Sequence, residues 1–235
     1  MPLCTKLLIN LCTIFVVFQT SGYCSGSYVI DPGHSPKSPG ATSCTGKSEH
    51  LYNDSLAKYI IAYLSNKQIS ATLTRKTDEE ISLKNRALLA SGQKLLLSIH
   101  HDSVQPQFIT WRNHRPTSSK AAGYSIFISS KNHYYKQSLM YADRLGSALR
   151  SRGFKPSKHH GEKIIGENKQ LLDPEKGIYL YDDLVLLKNA DAPSILFEAA
   201  VIVHPQDEAR TISESYKRGI AEAVTNMMIG LDTAN

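Results

Sequence analysis

The chain has 235 residues, which is enough for one domain of ordinary size with a single hydrophobic core. Hydrophobic residues make up 41% and charged residues 20%, values typical of globular proteins, so a disordered or fibrous chain is excluded. The net charge of +6 is modest, and the basic residues are not interleaved with aromatic residues as they are in nucleic-acid-binding surfaces. We therefore expect a folded domain that does not bind nucleic acid.

The first 26 residues have the layout of a signal peptide. One basic residue, Lys6, precedes an apolar run at residues 7–18, and small and polar residues follow. A helix of twelve residues is roughly 18 Å long, whereas the hydrocarbon core of a bilayer is about 30 Å thick. We therefore predict that residues 1–26 direct export, and that residues 27–235 form a periplasmic or secreted domain with no integral membrane span. Lipidation at Cys24 stays open as an alternative.

After the leader, short apolar segments rich in β-branched residues alternate with longer amphipathic segments. The predicted strands lie at residues 28–30, 71–74, 94–99, 124–128 and 194–197. Helices are predicted at residues 51–64, 139–149 and 212–229, and Ser82 is a suitable N-cap for a shorter helix that ends near Ala90. Residues 103–120 and 155–177 are rich in Pro, Lys, His and Gly, so we interpret them as irregular surface excursions. This alternation predicts an α/β sandwich with a largely parallel sheet.

Cys44 is the one cysteine that lies clearly beyond the leader, because Cys4, Cys12 and Cys24 are in it or beside it. We therefore expect no internal disulfide framework, so the core must stabilise the fold. A reactive thiol is the alternative role for Cys44. Its loop of Ser, Thr, Gly and Lys residues supplies no dedicated base, so we interpret Cys44 as a bystander.

Three predicted strands lead to a side chain that can bind a metal ion or transfer a proton. His34 follows the first strand, His100 follows the third, and Glu198 follows the last. In an open parallel sheet the carboxyl ends of neighbouring strands line the ligand crevice, so these side chains are expected to converge. Glu49 lies just before the first predicted helix, where the loop after the first strand could return to this crevice.

Two histidines and one carboxylate form a common catalytic zinc site, in which a fourth position stays open to water. His34, Glu49 and His100 could supply this set, and Glu198 would then remain as a base. The spacing alone is not diagnostic. Each histidine could equally be a surface residue or a hydrogen-bonded one, and Glu49 could simply be a favourable charge at a helix N-terminus.

Six segments together resemble, in order, the zinc-dependent N-acetylmuramoyl-L-alanine amidase family with the type 3 catalytic domain. They are residues 29–34 (VIDPGH), 46–49 (GKSE), 73–75 (LTR) with Asp78, 81–83 (ISL) with Arg86, 97–100 (LSIH) and 195–198 (ILFE). The resemblance extends over about residues 28–229. One such segment would be a weak signal, whereas an ordered set over nearly the whole mature chain is specific.

The resemblance implies a three-layer sandwich in which a twisted, mostly parallel sheet is flanked by helices. It implies that His34, Glu49 and His100 bind Zn²⁺ and that Glu198 is the catalytic base. The expected reaction is hydrolysis of the amide bond between N-acetylmuramic acid and L-alanine, with peptidoglycan as the substrate. We expect a monomer.

Many envelope members of the family carry a long inserted helix that covers the active site until an activator removes it. In this chain the segment from Gly123 to Phe127 is followed within a few residues by the predicted helix around Leu139, so no such element fits there. The need for an activator protein stays open.

Four charged residues near the motifs admit structural roles. Arg75, Asp78 and Arg86 are expected to form a charge network that ties down the turn before the Ser82 helix. Asp31 could orient a ligand histidine as a hydrogen-bond acceptor, or it could cap its own loop, and the sequence favours neither role.

The remaining histidines near the motifs rank below His100. His101 and Asp102 follow that predicted ligand directly and could touch the metal or the substrate. The pair His159 and His160 lies in a Lys-rich segment, so we expect both side chains to be solvated.

Two other functions stay open. A non-catalytic muropeptide-binding module would keep the cleft without turnover, and the presence of both histidines and both glutamates argues against it. A secreted zinc peptidase would share the metal chemistry, but the chain lacks the His-Glu-x-x-His helix of the commonest such enzymes. A serine hydrolase is disfavoured because no Gly-x-Ser-x-Gly nucleophile elbow occurs.

Overall fold

The structure is a computed structural model that describes residues 26–232, so the predicted signal peptide lies outside the described residues. The strands are β1 (Tyr28–Pro32), β2 (Ala71–Leu73), β3 (Leu95–Asp102), β4 (Thr110–Arg112), β5 (Arg115–Thr117), β6 (Ser125–Ile128), β7 (Gln170–Asp173), β8 (Ile178–Leu180) and β9 (Ser194–Val201). The helices are α1 (Glu49–Asn66), α2 (Leu83–Leu88), α3 (Tyr135–Ser151), α4 (Val185–Asn189), α5 (Pro205–Thr211) and α6 (Glu214–Asp232).

Within residues 26–232, seven strands form one sheet in the order β2-β1-β3-β9-β6-β8-β7. The pairings β6–β9 and β7–β8 are antiparallel, and the other pairings in this sheet are parallel. The sequence prediction of a mostly parallel sheet is therefore confirmed. Strands β4 and β5 form a separate antiparallel hairpin.

The chain changes direction across the sheet at β1. It runs from β1 through α1 to β2 on one side, and then through α2 to β3 on the other side of β1. Right-handed crossovers in opposite directions place the two helices on opposite faces of the sheet. The carboxyl ends of β1 and β3 therefore border the kind of crevice in which open α/β sheets bind ligands.

Apolar side chains of the central strands alternate between the two faces. Ile30 and Leu97 belong to a core that also contains residues of α1, α3 and α6. Val29 and Leu96 point to the other face, where they pack with residues of α2 and α4. The expected three-layer sandwich is confirmed, because helices cover both faces of the sheet.

The last predicted helix has a different boundary. Instead of one helix from residue 212, the chain forms α5 and then α6, and Ile212 between them is 62% exposed. Pro205 is the first residue of α5, where a proline costs no helical hydrogen bond. Ser213 Oγ accepts a hydrogen bond from the Tyr216 N–H at 3.3 Å, so the hydroxyl caps the start of α6.

The two segments predicted to be irregular contain regular structure. The hairpin of β4 and β5 lies within residues 103–120, and β7 lies within residues 155–177. The prediction missed these elements because each strand has only three or four residues. No helix among residues 26–232 has the length and apolar character needed to cross a bilayer.

A buried ion pair ties α1 to the segments that follow β1 and β2. The side chain of Arg75 is completely buried, and its guanidinium donates to Asp54 Oδ1 on α1 at 2.7 Å. The same guanidinium donates to the carbonyl oxygens of Pro32 and Gly33 at 3.2 and 3.3 Å. Arg75 therefore holds the loop after β1 as well as its own turn.

Replacing Asp54 tests how much this pair contributes to stability. Asp54→Ala is expected to lower the free energy of unfolding by about 3–5 kcal/mol, because Arg75 would remain buried without its counter-ion. Urea unfolding followed by circular dichroism measures the change. Asp143→Ala is the control, because it removes an exposed pair with Lys176 and is expected to cost less than about 1 kcal/mol. Equal losses in the two variants would contradict the role assigned to Arg75.

Candidate active site

Four predicted site residues meet at one edge of the sheet. His34 follows β1, Glu49 is the first residue of α1, and His100 lies near the end of β3. Glu198 is on β9, directly opposite His100 in the parallel pairing of the two strands. The edge is the one predicted from the strand ends.

Three of these side chains form a compact group of metal donors. Nε2 of His34 lies 3.1 Å from Oε2 of Glu49, and Nδ1 of His100 lies 3.0 Å from Oε1 of the same carboxylate. One ligand atom from each residue lies within 4.8 Å of the other two. This group can hold a metal ion.

The Glu49 carboxylate is buried and held by further donors. Its Oε1 accepts hydrogen bonds from the His101 N–H at 3.2 Å and from Asn53 Nδ2 at 3.1 Å. Its Oε2 accepts a hydrogen bond from the Ala41 N–H at 3.0 Å. Burial alone would raise the pKa of Glu49, but the hydrogen bonds and positive charge of His100 and His34 lower it overall. The carboxylate therefore stays ionised and fixed in orientation.

The loop between β1 and His34 is held through its carbonyl oxygens. Arg86 on α2 donates to Pro32 O at 3.0 Å and to His34 O at 2.8 Å. Asn53 Nδ2 donates to Gly33 O at 3.1 Å. His34 itself has a φ of 61°, a left-handed conformation that is unusual for a residue with a side chain. These hydrogen bonds hold the strained backbone that presents His34 to the site.

Asp31 anchors the same loop, and its hydrogen bonds go to residues other than His34 and His100. It accepts hydrogen bonds from the hydroxyl of Thr74, from Ser98 Oγ at 2.7 Å and from Arg86 at 3.4 Å. Of the two roles considered for Asp31, the structure supports the loop anchor. Arg86 is likewise structural, but it stabilises the loop after β1 and not only the turn before α2.

Two glycines leave room for the donor group. A Cβ atom on Gly33 would lie 2.2 Å from Nε2 of His100. A Cβ atom on Gly40 would lie 2.4 Å from Oε2 of Glu49, and Gly40 also has a φ of +75°. Neither glycine is marked as a site residue by the sequence pattern, although Gly33 lies inside the first motif.

Glu198 lies beside the donor group but is not part of it. Its Oε2 atom is buried and makes no hydrogen bond to any residue from 26 to 232. Burial, together with the nearby carboxylates of Asp102 and Glu49, raises the pKa of Glu198 well above its usual value. Glu198 therefore holds a proton more readily than an ordinary carboxyl group does.

Two cavities adjoin at this edge of the sheet. One, of about 470 Å³, is lined by His34, His100 and Arg86 among other residues. The other, of about 290 Å³, is lined by Glu198 and Asp102 among others. Leu184 and Leu196 line both cavities, so the cavity beside the donor group and the cavity beside Glu198 are neighbours.

His101 and Asp102 have separate environments. His101 is buried, and its Nδ1 lies 2.8 Å from Oδ1 of Asn53. Burial lowers the pKa of His101 to about 4, so the ring is neutral. His101 contacts Glu49 through its backbone N–H. Asp102 contacts His160 at 2.8 Å and is not in the donor group.

The prediction that His159 and His160 are solvated is wrong. Both side chains are buried, because they fold under the excursion at residues 155–177 and pack against Asp102 at the end of β3. The Lys-rich composition of the segment concealed this arrangement, since the lysines lie on its outer side and the histidines on its inner side.

Cys44 is not an activated nucleophile. Its Sγ donates a hydrogen bond to Glu208 Oε2 at 2.6 Å. Burial and this interaction with Glu208 raise the pKa of the thiol to about 12, so the reactive thiolate does not form near neutral pH.

Gly33→Ala tests whether the donor group depends on the close approach of the Gly33 backbone to the ring of His100. The added Cβ would displace the ring of His100, and we expect metal affinity to fall about 10- to 100-fold. Metal titration with circular dichroism measures affinity and fold on one preparation. Gly219→Ala on α6 is the control, because its Cβ would meet only the edge of the Phe154 ring at 3.1 Å. Unchanged metal affinity in Gly33→Ala would contradict this geometry.

Comparison with known proteins identifies the family. The profile of the N-acetylmuramoyl-L-alanine amidase family Amidase_3 matches residues 29–229. N-acetylmuramoyl-L-alanine amidase AmiA of Salmonella typhimurium is 26% identical over 226 residues, which cover 86% of this chain and 74% of that protein.

Solved amidase structures share the fold. The N-acetylmuramoyl-L-alanine amidase from Clostridium difficile 630 superposes with a TM-score of 0.70 at 24% identity, covering 91% of this chain and 100% of that one. Ami1 from Mycobacterium smegmatis superposes with a TM-score of 0.68 at 20% identity, covering 90% and 98%. The chain therefore belongs to the N-acetylmuramoyl-L-alanine amidase family, the enzymes that hydrolyse the amide bond between N-acetylmuramic acid and L-alanine in peptidoglycan.

Proposed function

We propose that His34, Glu49 and His100 hold one Zn²⁺ in this amidase and that Glu198 is its general base. The observation that carries the proposal is the buried, unpaired Oε2 of Glu198 on the strand next to three converging donors. Burying a carboxyl oxygen without a hydrogen bond costs free energy of folding. A chemical role is the reason to keep such a group at this position.

The donor set fits zinc. Two imidazole nitrogens and one carboxylate are a common catalytic set for this ion, and they leave a position for water or substrate. Ligand atoms on a tetrahedral zinc lie roughly 3.3 Å apart. Each imidazole nitrogen lies at a similar distance from one oxygen of Glu49, 3.1 Å from His34 Nε2 to Oε2 and 3.0 Å from His100 Nδ1 to Oε1.

In this proposal Glu198 transfers the proton from the attacking water to the leaving group. A Zn²⁺ ion bound there supplies Lewis-acid polarisation of the scissile carbonyl and lowers the pKa of the attacking water. Glu198 accepts a proton from that water at its free Oε2. When the C–N bond breaks, Glu198 donates this proton to the alanine nitrogen. The products are a muramoyl carboxylate and a peptide with a free amino terminus.

The surrounding residues keep the site rigid. Arg86 and Asn53 fix the loop that carries His34, while the His101 N–H fixes Glu49. The imidazoles and the carboxylate therefore need little rearrangement to bind the ion, which favours preorganised catalysis.

The two other functions considered from the sequence differ from this proposal in their products. A muropeptide-binding module would bind fragments and release none. A zinc peptidase would cut between amino acids of the stem peptide, whereas the proposed enzyme frees an intact stem that begins with L-alanine.

We further propose that the enzyme is exported and acts on peptidoglycan as a monomer. Export is supported by the basic and apolar pattern of residues 1–26. Only residues 129–134 connect β6 to α3, so this connection leaves no space for an inhibitory helix. We therefore expect the purified enzyme to work without an added activator.

Removal of the metal tests the ligand set. Chelation is expected to abolish peptide release from peptidoglycan, and added Zn²⁺ is expected to restore it. His34→Ala and His100→Ala should each lose one zinc equivalent relative to the unaltered protein, because two remaining protein ligands hold the ion poorly. The exposed histidine variant His133→Ala is the control. Full zinc content in both ligand variants would contradict the assignment.

Glu198→Gln separates the base from the ligands. The amide keeps the shape of the side chain but cannot accept the proton, so kcat is expected to fall by at least about 10²-fold. Zinc content and muropeptide affinity should stay unchanged, as measured by metal analysis and calorimetry. Mass spectrometry of released peptides gives the turnover and identifies the bond cut.

Glu222→Gln on α6 is the matched control, because the partly exposed Glu222 pairs with Arg152 and lines neither of the two cavities at the donor group. It is expected to keep full turnover. Near-normal turnover in Glu198→Gln would remove Glu198 from the mechanism, and zinc loss would place it among the ligands.

A further inference from the structure

A second group of donors lies at the end of β3, outside the proposed catalytic zinc site. Nε2 of His160 lies 2.8 Å from Oδ2 of Asp102, and Nε2 of His159 lies 3.3 Å from the same oxygen. One ligand atom from each of the three residues lies within 4.8 Å of the other two. Two adjacent imidazoles therefore direct the same ring nitrogen at one carboxylate oxygen.

The other nitrogen of each ring is already paired. Nδ1 of His160 lies 2.9 Å from Oε2 of Glu167, and Nδ1 of His159 lies 2.8 Å from Oγ of Ser157. Histidines that bind metals commonly donate their second N–H to a carboxylate or another oxygen, which fixes the ring and leaves a lone pair for the ion. Both imidazoles have this arrangement.

One donor in this group has no hydrogen bond. His159 is 5% exposed, and its Nε2 makes no hydrogen bond to any residue within 26–232. Oδ2 of Asp102 lies 3.3 Å from this nitrogen, which is an ion-pair distance if the ring is protonated. A buried ring nitrogen that faces a carboxylate without a hydrogen bond is a suitable ligand for a cation held between the two groups.

We propose that Asp102, His159 and His160 bind a second Zn²⁺ through Oδ2 and the two Nε2 atoms. The donor types are those of the first site, two imidazoles and one carboxylate, and zinc favours that combination. The three residues come from two parts of the chain, the end of β3 and the excursion at residues 155–177. The second ion therefore fastens the excursion to the sheet, beside the cavity that Glu198 lines.

An ion pair without metal is the competing account of this cluster. Burial alone would lower the pKa of His160, but the charge of Asp102 raises it to about 9. A protonated His160 would satisfy Asp102. In that account Nε2 of His159 lies 3.3 Å from Asp102 without a hydrogen bond, whereas a metal ion would bind all three groups.

Zinc titration of the metal-free full-length mature protein tests the proposal. With Zn²⁺ alone as the probe, calorimetry is expected to show two equivalents per chain. His159→Ala should then bind one equivalent, while the control His133→Ala, which removes an exposed histidine, should bind two. His34→Ala should also bind one, and the double variant of His34 and His159 should bind none.

The results separate this site from the first. If the unaltered protein binds only one equivalent and His159→Ala keeps it, the second site is overturned, and two equivalents kept in His159→Ala overturn it as well. If the unaltered protein binds one equivalent that is lost in His159→Ala and kept in His34→Ala, the second site is supported and the first is contradicted. His159→Gln is the second variant if the alanine protein fails to fold by circular dichroism, and it is held to the same criteria.

Discussion

The site depends on one buried carboxylate that two imidazoles share. Glu49 is 4% exposed, and a carboxylate in such a place destabilises the fold unless charged or hydrogen-bonding groups surround it. His34 and His100 approach its two oxygens, and donors from His101 and Asn53 complete the environment of Oε1. The same contacts that make the burial tolerable fix three metal donors in space. Stability and ligand geometry thus arise from one set of interactions.

Sheet topology explains why these residues meet although they are distant in sequence. The chain reverses direction across the sheet at β1, so the ends of β1 and β3 open into a crevice, and β9 brings Glu198 alongside. Arg75 and Arg86 then hold the carbonyl oxygens of the loop that leads to His34. The end of β3 contributes to two groups of side chains. His100 contacts Glu49 in the donor group, and Asp102 contacts the buried histidines of the excursion.

Much of the sheet could be predicted from the sequence, and so could the convergence of His34, His100 and Glu198, because these residues follow apolar runs whose strand ends meet in a parallel sheet. The residues that surround these side chains could not be predicted. Asn53 reaches Glu49 through a turn of α1, and no pattern marks it. His159 and His160 were assigned to the surface because their neighbours are lysines, while their partner Asp102 lies 58 residues from His160 along the chain. Short strands such as β7 carry too few residues for a periodic signal.

The most direct test of the proposed metal site is an anomalous diffraction map of the zinc-loaded crystal at the zinc absorption edge. The account predicts a peak about 2.0–2.2 Å from Nε2 of His34, Nδ1 of His100 and a carboxylate oxygen of Glu49, with Glu198 outside the ligand distance. A well-ordered crystal with no peak among these three residues, or with Glu198 bound directly to the ion in place of one of them, would contradict it.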